Sequence, residues 1–576
     1  MQKLITVFLG AFILNSSFVF AQTIPSAQQA SGQESLRQMQ EKDKKLRERL
    51  NEQPKAQSIE DQVTAPEAPA AQPSTAEFQK VLIKKVNVTG NTILASREIE
   101  KIIAPFEGKE LSLREMQKVS DLLTDAYRKR GFITTRAILP PQQMTSNVLE
   151  IKVIQGLMGD LEVKGNRYFK KKLFTKRVSL KKGQLFNYNE LRNNLNTINQ
   201  YPDRNVKTVI TPGKEQGETD VVFNVKDRLP IHVSFFYDNF GSRYIGKNRY
   251  LGTVTDYNLL GFDDVFTFQY QAGEMNASRV TSFRYQVPVF KNTEIGFYAT
   301  QSQMELQEEF KVLEARGKSK LYGIFVNQTL INGQDLKVTA SAGLDYKDVF
   351  NYQLGVESSR DRLRVPKFGF NVDYADALNG RNIFNNEIDF GVPNIMGGLR
   401  DVDSRSSRVG SGGEFVKDVV DYLRLQRLPW DASLFIKTQT QFASTILPAA
   451  EQYQLGGITN VRGFAPGEAS GDSGNSFTAE LGLPLYLLPR SMPVPFSKAK
   501  LYDSFRLTVF YDSGYVRSRN PQAGEPKKKN LDSLGWGMRL NLPQNFFIRL
   551  DFAWPVTGKP SDSHNQHIWF QVSKEF

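Results

Sequence analysis

The chain has 576 residues, no cysteine and a formal net charge of +13. That length is too great for one domain, and the lack of cysteine removes disulfide frameworks, thiolate metal sites and cysteine nucleophiles. Past the N-terminus no run of about 18 apolar residues occurs, which excludes helical membrane spans but not a β-barrel, whose strands are short and only half apolar.

The N-terminus carries Lys3, an apolar run over residues 4–14 and the small-residue site Val19-Phe20-Ala21. This pattern predicts a signal peptide over 1–21, with Gln22 as the mature start. Export makes nucleic acid a poor partner. In residues 22–52, the stretch 35–50 reads SLRQMQEKDKKLRERL. It is a good helix former, but Leu36, Met39, Leu46 and Leu50 are too few to join a core. Either a solvated helix or a polar plug in a wet lumen fits. Residues 53–77 carry Pro54, Pro66, Pro69 and Pro73 and read as a semi-stiff linker.

An internal repeat follows, predicting two modules, 78–156 and 157–228. Val86-Asn87-Val88-Thr89-Gly90-Asn91 recurs about 75 residues later as Leu161-Glu162-Val163-Lys164-Gly165-Asn166. Each copy is a strand ending in a Gly-Asn turn. In the first, Ser112 and Glu115 form a capping box, with Met116, Val119, Leu122, Leu123 and Ala126 on one helix side. In the second, Asn187 caps and Leu191, Leu195 and Ile198 face inward. Two strands close each copy, near 133–139 with 148–154 and 206–211 with 220–225. Both are α+β modules with an open sheet edge, where an extended peptide can add as a strand. Together they hold 28 Lys+Arg against 16 Asp+Glu. The densest run, residues 164–182, includes Lys170, Lys171, Lys172, Lys176, Arg177, Lys181 and Lys182. It reads as a solvated face or as a patch for an acidic polypeptide or anionic lipid headgroups.

From 229 to 576 the chain alternates in polarity, segment after segment. Phe546, Ile548, Leu550, Phe552 and Trp554 point one way, and Phe547, Arg549, Asp551 and Ala553 the other. Sixteen such segments run from 231–238 to 565–576, among them 363–376, 420–429, 475–487 and 505–516. The fold class is therefore mainly β: a 16-stranded transmembrane barrel behind two α+β modules. Its lumen is too wide for wall side chains to fill, so something must sit inside or it leaks.

A glycine-rich loop near 451–474 can fold into that lumen. It carries Val461-Arg462-Gly463-Phe464 after Gly456-Gly457. The next strand carries Phe510-Tyr511-Asp512-Ser513-Gly514. Alternation sends Phe505, Leu507, Val509 and Tyr511 to lipid. Arg506, Thr508, Phe510, Asp512 and Gly514 then face the lumen. A carboxylate there needs a partner, and Arg462 suits it because a guanidinium binds a carboxylate with two parallel hydrogen bonds. In a wet lumen the pair contributes only about 1 kcal/mol. His564 and His567, three apart in a polar turn, read as loop residues rather than a metal site. No paired carboxylates or Ser/His grouping indicate an enzyme or a cofactor.

These motifs, with Arg130-Gly131-Phe132 and Pro140-Pro141-Gln142 in the first module, resemble the two-partner secretion transporters of the TpsB family (hemolysin-activator and filamentous-hemagglutinin transporters). That family belongs to a superfamily of POTRA-plus-barrel proteins. The likeness covers nearly the whole mature chain. Phe464 stands where the superfamily often has Tyr, and Lys574 is unusual on the outward face of the last strand. The resemblance implies a Gram-negative outer-membrane pore with two periplasmic POTRA modules and a lumen filled by helix 35–50 and the folded-in loop. It implies one large exoprotein partner, captured by its N-terminal secretion domain, passed unfolded and in some relatives activated. It casts Val461, Arg462, Gly463, Phe464, Phe510, Asp512 and Gly514 as a loop latch. Phe576 becomes the signal for barrel insertion, which brings in the barrel assembly machinery, periplasmic chaperones and outer-membrane lipid. The alternatives are an insertase or lipid-handling relative of the same fold, or a passive porin, which gives no reason for two soluble modules.

Overall fold

A computed structural model describes residues 80–576, apart from 144–146, 200, 202, 291, 334, 496–498, 522–524 and 544, together with Val63–Thr64. The expected signal peptide, the plug helix over 35–50 and most of the linker lie outside these residues. Two compact units are present, one ending at Pro230 and the other running from Ile231 to Phe576.

In the first unit, β1 is Val63–Thr64. The first module has β2 (Val81–Ile83), β3 (Lys85–Thr89), β4 (Lys109–Leu111), β5 (Arg136–Ile138) and β6 (Val148–Ile154), with helices Ser96–Ile103 and Leu113–Lys129. The longer helix starts where Ser112 Oγ accepts from Glu115 N at 3.3 Å and a Glu115 carboxylate oxygen accepts from Ser112 N at 2.8 Å. This is the expected capping box. Met116, Val119, Leu123 and Tyr127 turn into the core. Leu122 does not: it is 39% exposed, one residue round the helix from Leu123. The sheet pairs β3 with β6 in parallel and β6 with β5 antiparallel.

The second module repeats this plan with β7 (Leu157–Lys164), helices Lys171–Lys176 and Tyr188–Asn199, β8 (Arg204–Pro212) and β9 (Glu218–Asp227). Asn187 Oδ1 caps its longer helix, accepting from Asn189 N at 2.9 Å. The Gly-Asn repeat has a physical cause. Gly90 and Gly165 sit at φ +80° and +81°, and a Cβ on either would lie 2.5 Å from the Val153 carbonyl oxygen or 2.6 Å from that of Val225. Only glycine fits both demands. One expectation changes. The β8 edge is not open, because β1 pairs with it in parallel, Val63 opposite Thr208 and Thr64 opposite Val209.

The second unit is a closed barrel of sixteen strands. They are β10 (Ile231–Asp238), β11 (Arg249–Asp256), β12 (Val265–Gly273), β13 (Ser278–Phe290), β14 (Thr293–Glu305), β15 (Arg316–Asn332), β16 (Leu336–Gln353), β17 (Val356–Ala375), β18 (Gly380–Gly391), β19 (Phe415–Arg427), β20 (Ser433–Ala443), β23 (Ser473–Leu483), β24 (Phe505–Arg517), β25 (Lys528–Leu542), β26 (Phe546–Thr557) and β27 (His567–Glu575). Two short strands, β21 (Tyr453–Leu455) and β22 (Ala469–Gly471), pair with each other inside the loop that follows β20. The seam is closed by β10 and β27, from Ser234 opposite Glu575 to Asp238 opposite Gln571.

Alternation assigns the faces as expected. On β24, Val509 and Tyr511 are exposed while Phe510, Asp512 and Gly514 are buried. On β26, Arg549, Asp551 and Ala553 are buried. The eighth expected segment falls short: β17 begins at Val356, seven residues before the predicted 363. About ten residues suffice to cross the bilayer, so β17, at 20 residues, continues beyond it. There both faces carry charge, at Glu357, Arg360 and Arg362, and polar-on-both-sides reads as loop. No helix among the described residues is long and apolar enough to span a membrane.

Candidate functional site

The loop between β20 and β23 folds into the lumen. Its short hairpin of β21 and β22 brings Tyr453, Leu455, Val461, Phe464 and Ala469 into one buried cluster with Val516 of β24 and Leu531 of β25. These apolar residues, spaced through a polar stretch, hold the loop against the wall. Asn460 shapes the turn: its Oδ1 accepts from Gly456 N and Val461 N, both at 2.8 Å. Gly463 is required by close approach, since a Cβ there would lie 2.6 Å from Ser533 Cβ and 2.8 Å from Pro555 N. Gly514 faces Leu455 and Val461 on the same terms, at 2.6 and 2.9 Å.

Arg462 reaches Asp512 as the sequence suggests. Nε donates to Oδ2 at 2.9 Å and Nη2 to Oδ1 at 2.9 Å, the two-pronged geometry. The backbone N of Arg462 adds a third bond to Asp512 Oδ2 at 3.1 Å, and Ser533 Oγ a fourth. The guanidinium stacks on Phe510, its carbon 3.3 Å from the ring centroid. The Arg462 carbonyl accepts from Trp569 Nε1 at 2.8 Å. Val461, Gly463 and Phe464 thus pack the tip, and Phe510 and Gly514 form its seat.

The site is larger than the pair. Arg462 Nη1 also donates to Glu480 Oε2 at 2.6 Å and lies 3.5 Å from Asp551 Oδ2. Arg539 joins Glu480 at 3.2 Å and binds Asp551, while Arg549 Nη2 binds Asp551 at 2.7 Å. Three guanidinium groups therefore face three carboxylates. Sequence alternation put Arg549 and Asp551 on the correct face but gave no partner. Glu480, Arg539, Ser533 and Trp569 were missed, although their lumen-facing positions follow from the same rule.

One expectation is corrected. The pair is not wet: Arg462 is 2% exposed and Asp512 is fully buried. A dry ion pair offsets its own desolvation, so its net contribution is modest, but losing one partner costs about 3–5 kcal/mol.

Other predicted residues are placed as follows. Phe576 N donates to Val233 O at 2.9 Å, and its ring lies 6.4 Å from Phe235. Lys574 Nζ lies 5.3 Å from the Phe576 ring centroid. His567 and His564 both lean on Asp562, at 3.0 and 3.3 Å, and no group of three metal-ligating side chains occurs among the described residues. In the basic patch, Lys182 pairs with Asp160 at 2.6 Å and holds its carboxyl below the usual range. Lys164 pairs with Glu162 at 2.9 Å.

Two tandem α+β modules and a sixteen-stranded barrel with a loop folded into its lumen define an outer-membrane transporter of the POTRA-plus-barrel class. Residues 217–540 match the family described as "Haemolysin secretion/activation protein ShlB/FhaC/HecB", and the chain belongs to that family. Residues 81–156 match the ShlB-type POTRA domain and 157–228 a second POTRA model, "Surface antigen variable number repeat". The heme/hemopexin transporter protein HuxB of Haemophilus influenzae is 23% identical over 88% of this chain and 90% of its own length. The outer membrane transporter CdiB of Escherichia coli is 23% identical over 71% of this chain and 70% of its own. The solved structure of CdiB from Escherichia coli superposes with a TM-score of 0.68 at 20% identity, covering 96% of this chain and all of the other. The protein is thus a two-partner secretion pore of the outer membrane, with its POTRA modules in the periplasm. Its family consists of transporters that act with large exoprotein partners.

Proposed function

We propose that Arg462, seated on Asp512 and Phe510, is the latch that keeps the inward loop in the lumen until cargo arrives. The observation that supports it is the burial of one guanidinium against three carboxylates from three strands. The loop cannot leave without breaking these bonds together. The protein moves a chain and has no catalytic role. Its modules, 78–156 and 157–228, take the N-terminal secretion domain of the exoprotein; β1 already pairs with β8, so an extended chain adding at that edge would have to displace it. The barrel over 229–576 lies in outer-membrane lipid. Periplasmic chaperones and the barrel assembly machinery deliver it there, with Phe576 as the signal; Phe576→Ser should lower the amount of folded barrel in outer-membrane fractions.

Arg462→Ala should leave the barrel assembled, with its heat-dependent gel mobility intact, and cut secretion of the partner at least ten-fold. Normal secretion by that variant would sink the latch. In planar bilayers, removing 22–52 should raise single-channel conductance if that region plugs the lumen; unchanged conductance removes the plug.

A further inference from the structure

The inward loop is held at a second place, far from its motif. The chain enters the barrel from the periplasm at Ile231, so the connections after β18, β20 and β24 open outward. Loop 392–414, after β18, carries Arg408, whose side chain is fully buried. Its Nη1 donates to Asp472 Oδ1 at 2.6 Å and to the Leu447 carbonyl at 2.9 Å. Leu447 and Asp472 are the two ends of the inward loop. Its other nitrogens reach Glu525, beyond β24, with Nη2 to Oε2 at 3.0 Å. Asp472 in turn accepts from Leu447 N at 2.9 Å and Arg519 N at 2.7 Å. One arginine, through two ion pairs, therefore ties three outward loops.

The neighbours of Arg408 lie across the same root. Ser406 Oγ and Ser407 N both donate to Asp361 Oδ1 of β17 at 2.9 Å. Ser407 Oγ accepts from Ala449 N of the inward loop, also at 2.9 Å. The extension of β17 above the bilayer supplies this anchor, which explains why a strand of that length is present. Releasing Arg462 frees the tip of the inward loop but leaves its root covered.

We infer that Arg408 is a positioning residue for export: it locks loop 392–414 over the root of the inward loop, and the exit opens only when that clasp lets go. The clasp suits a door. If any of the three loops moves, water reaches the charges it exposes, and hydration replaces the lost bonds. An apolar plug would gain nothing from water. The inference rests on the lumen being the cargo route, but not on Arg462 being the latch.

The test uses the full chain in whole cells. Because the protein has no cysteine, Ala450→Cys gives a single thiol at the root, where Ala450 is 1% exposed. Thr478→Cys gives a deeper one beneath the tip, where Thr478 Oγ1 meets the Asn460 carbonyl at 3.4 Å. A membrane-impermeant maleimide added outside should label Ala450→Cys at least ten-fold faster once Arg408→Ala is added. Labelling of Thr478→Cys should not change. Equal rates at Ala450→Cys overturn the proposal, and so does equal acceleration at both sites, which reports general loosening. If Arg408→Ala does not assemble, Glu525→Gln removes only the outer carboxylate. It should speed labelling at the root two- to three-fold, and no change overturns the proposal. Failure of Arg462→Ala to affect secretion bears on the latch and leaves this result standing.

Discussion

The two units differ in how much charge they bury. The modules are closed by hydrocarbon: Ile83, Val119, Leu123, Leu149 and Ile151 in the first, Phe174, Phe186, Leu191, Val221 and Phe223 in the second, all fully buried. The lumen buries charge beside the apolar cluster that seats the loop. Arg462, Asp512 and Asp551 are buried at the loop tip, and Glu451 sits at its root between Lys347 and Lys417, the latter at 2.5 Å. The difference is one of reversibility. Apolar surface has no favourable alternative in water, so a module that opens loses its stability. A buried ion pair has one, because each charge regains hydration, and its net contribution is small for that reason. Cores that must persist while gripping cargo are built from the first kind. A lumen that must empty and refill is built from the second.

The contrast can be broken first at its apolar end. Phe223→Ala removes a fully buried ring from the second module. It should destabilise the module pair by about 4 kcal/mol, read as a lowered urea midpoint by circular dichroism. A loss below about 1 kcal/mol would mean that the hydrocarbon core is not what holds the module. In the barrel, Arg462→Ala leaves Asp512, Glu480 and Asp551 facing Arg539 and Arg549 alone. This should cost about 3 kcal/mol, the lower end for a stranded buried charge, since water enters once the loop leaves. Denaturant unfolding in detergent measures it.

Much of this was legible in the sequence, and what was not follows one pattern. Period-two alternation placed sixteen strands because lipid imposes one apolar face over about ten residues. The same rule failed on β17, where Glu357, Arg360 and Arg362 continue the strand above the bilayer and nothing forces one face to be apolar. The Gly-Asn repeat was readable because Gly90 and Gly165 meet the same backbone constraint. Arg462 and Asp512 could be paired from a loop motif and a facing rule. Glu480 and Arg539 could not, because their contact depends on which strands neighbour β24 and at what register. Arg408 carried no signal at all. It lies in a polar loop whose importance comes only from what that loop covers. Burial decided the energetics of the Arg462–Asp512 pair, and burial of a lumen is invisible until the loop is seen inside it.

The smallest stability effect gives the sharpest test of the contrast. Arg462→Met with Asp512→Leu removes one charge of each sign from a network of three and three. It leaves Glu480 and Asp551 facing Arg539 and Arg549, still balanced. Side chains of similar volume refill the space beside Phe510. Replacing a whole buried pair by apolar residues is commonly neutral or stabilising, so the barrel should unfold within about 1 kcal/mol of the native chain. Secretion should nonetheless fail, because the loop tip is then held by hydrocarbon, which has no reason to exchange for water. A double variant as unstable as Arg462→Ala would show that the ion pair is what keeps the barrel folded. A stable double variant that secretes normally would show that the lumen does not need a charged latch to open. Only stability retained with secretion lost separates holding the fold from releasing the plug.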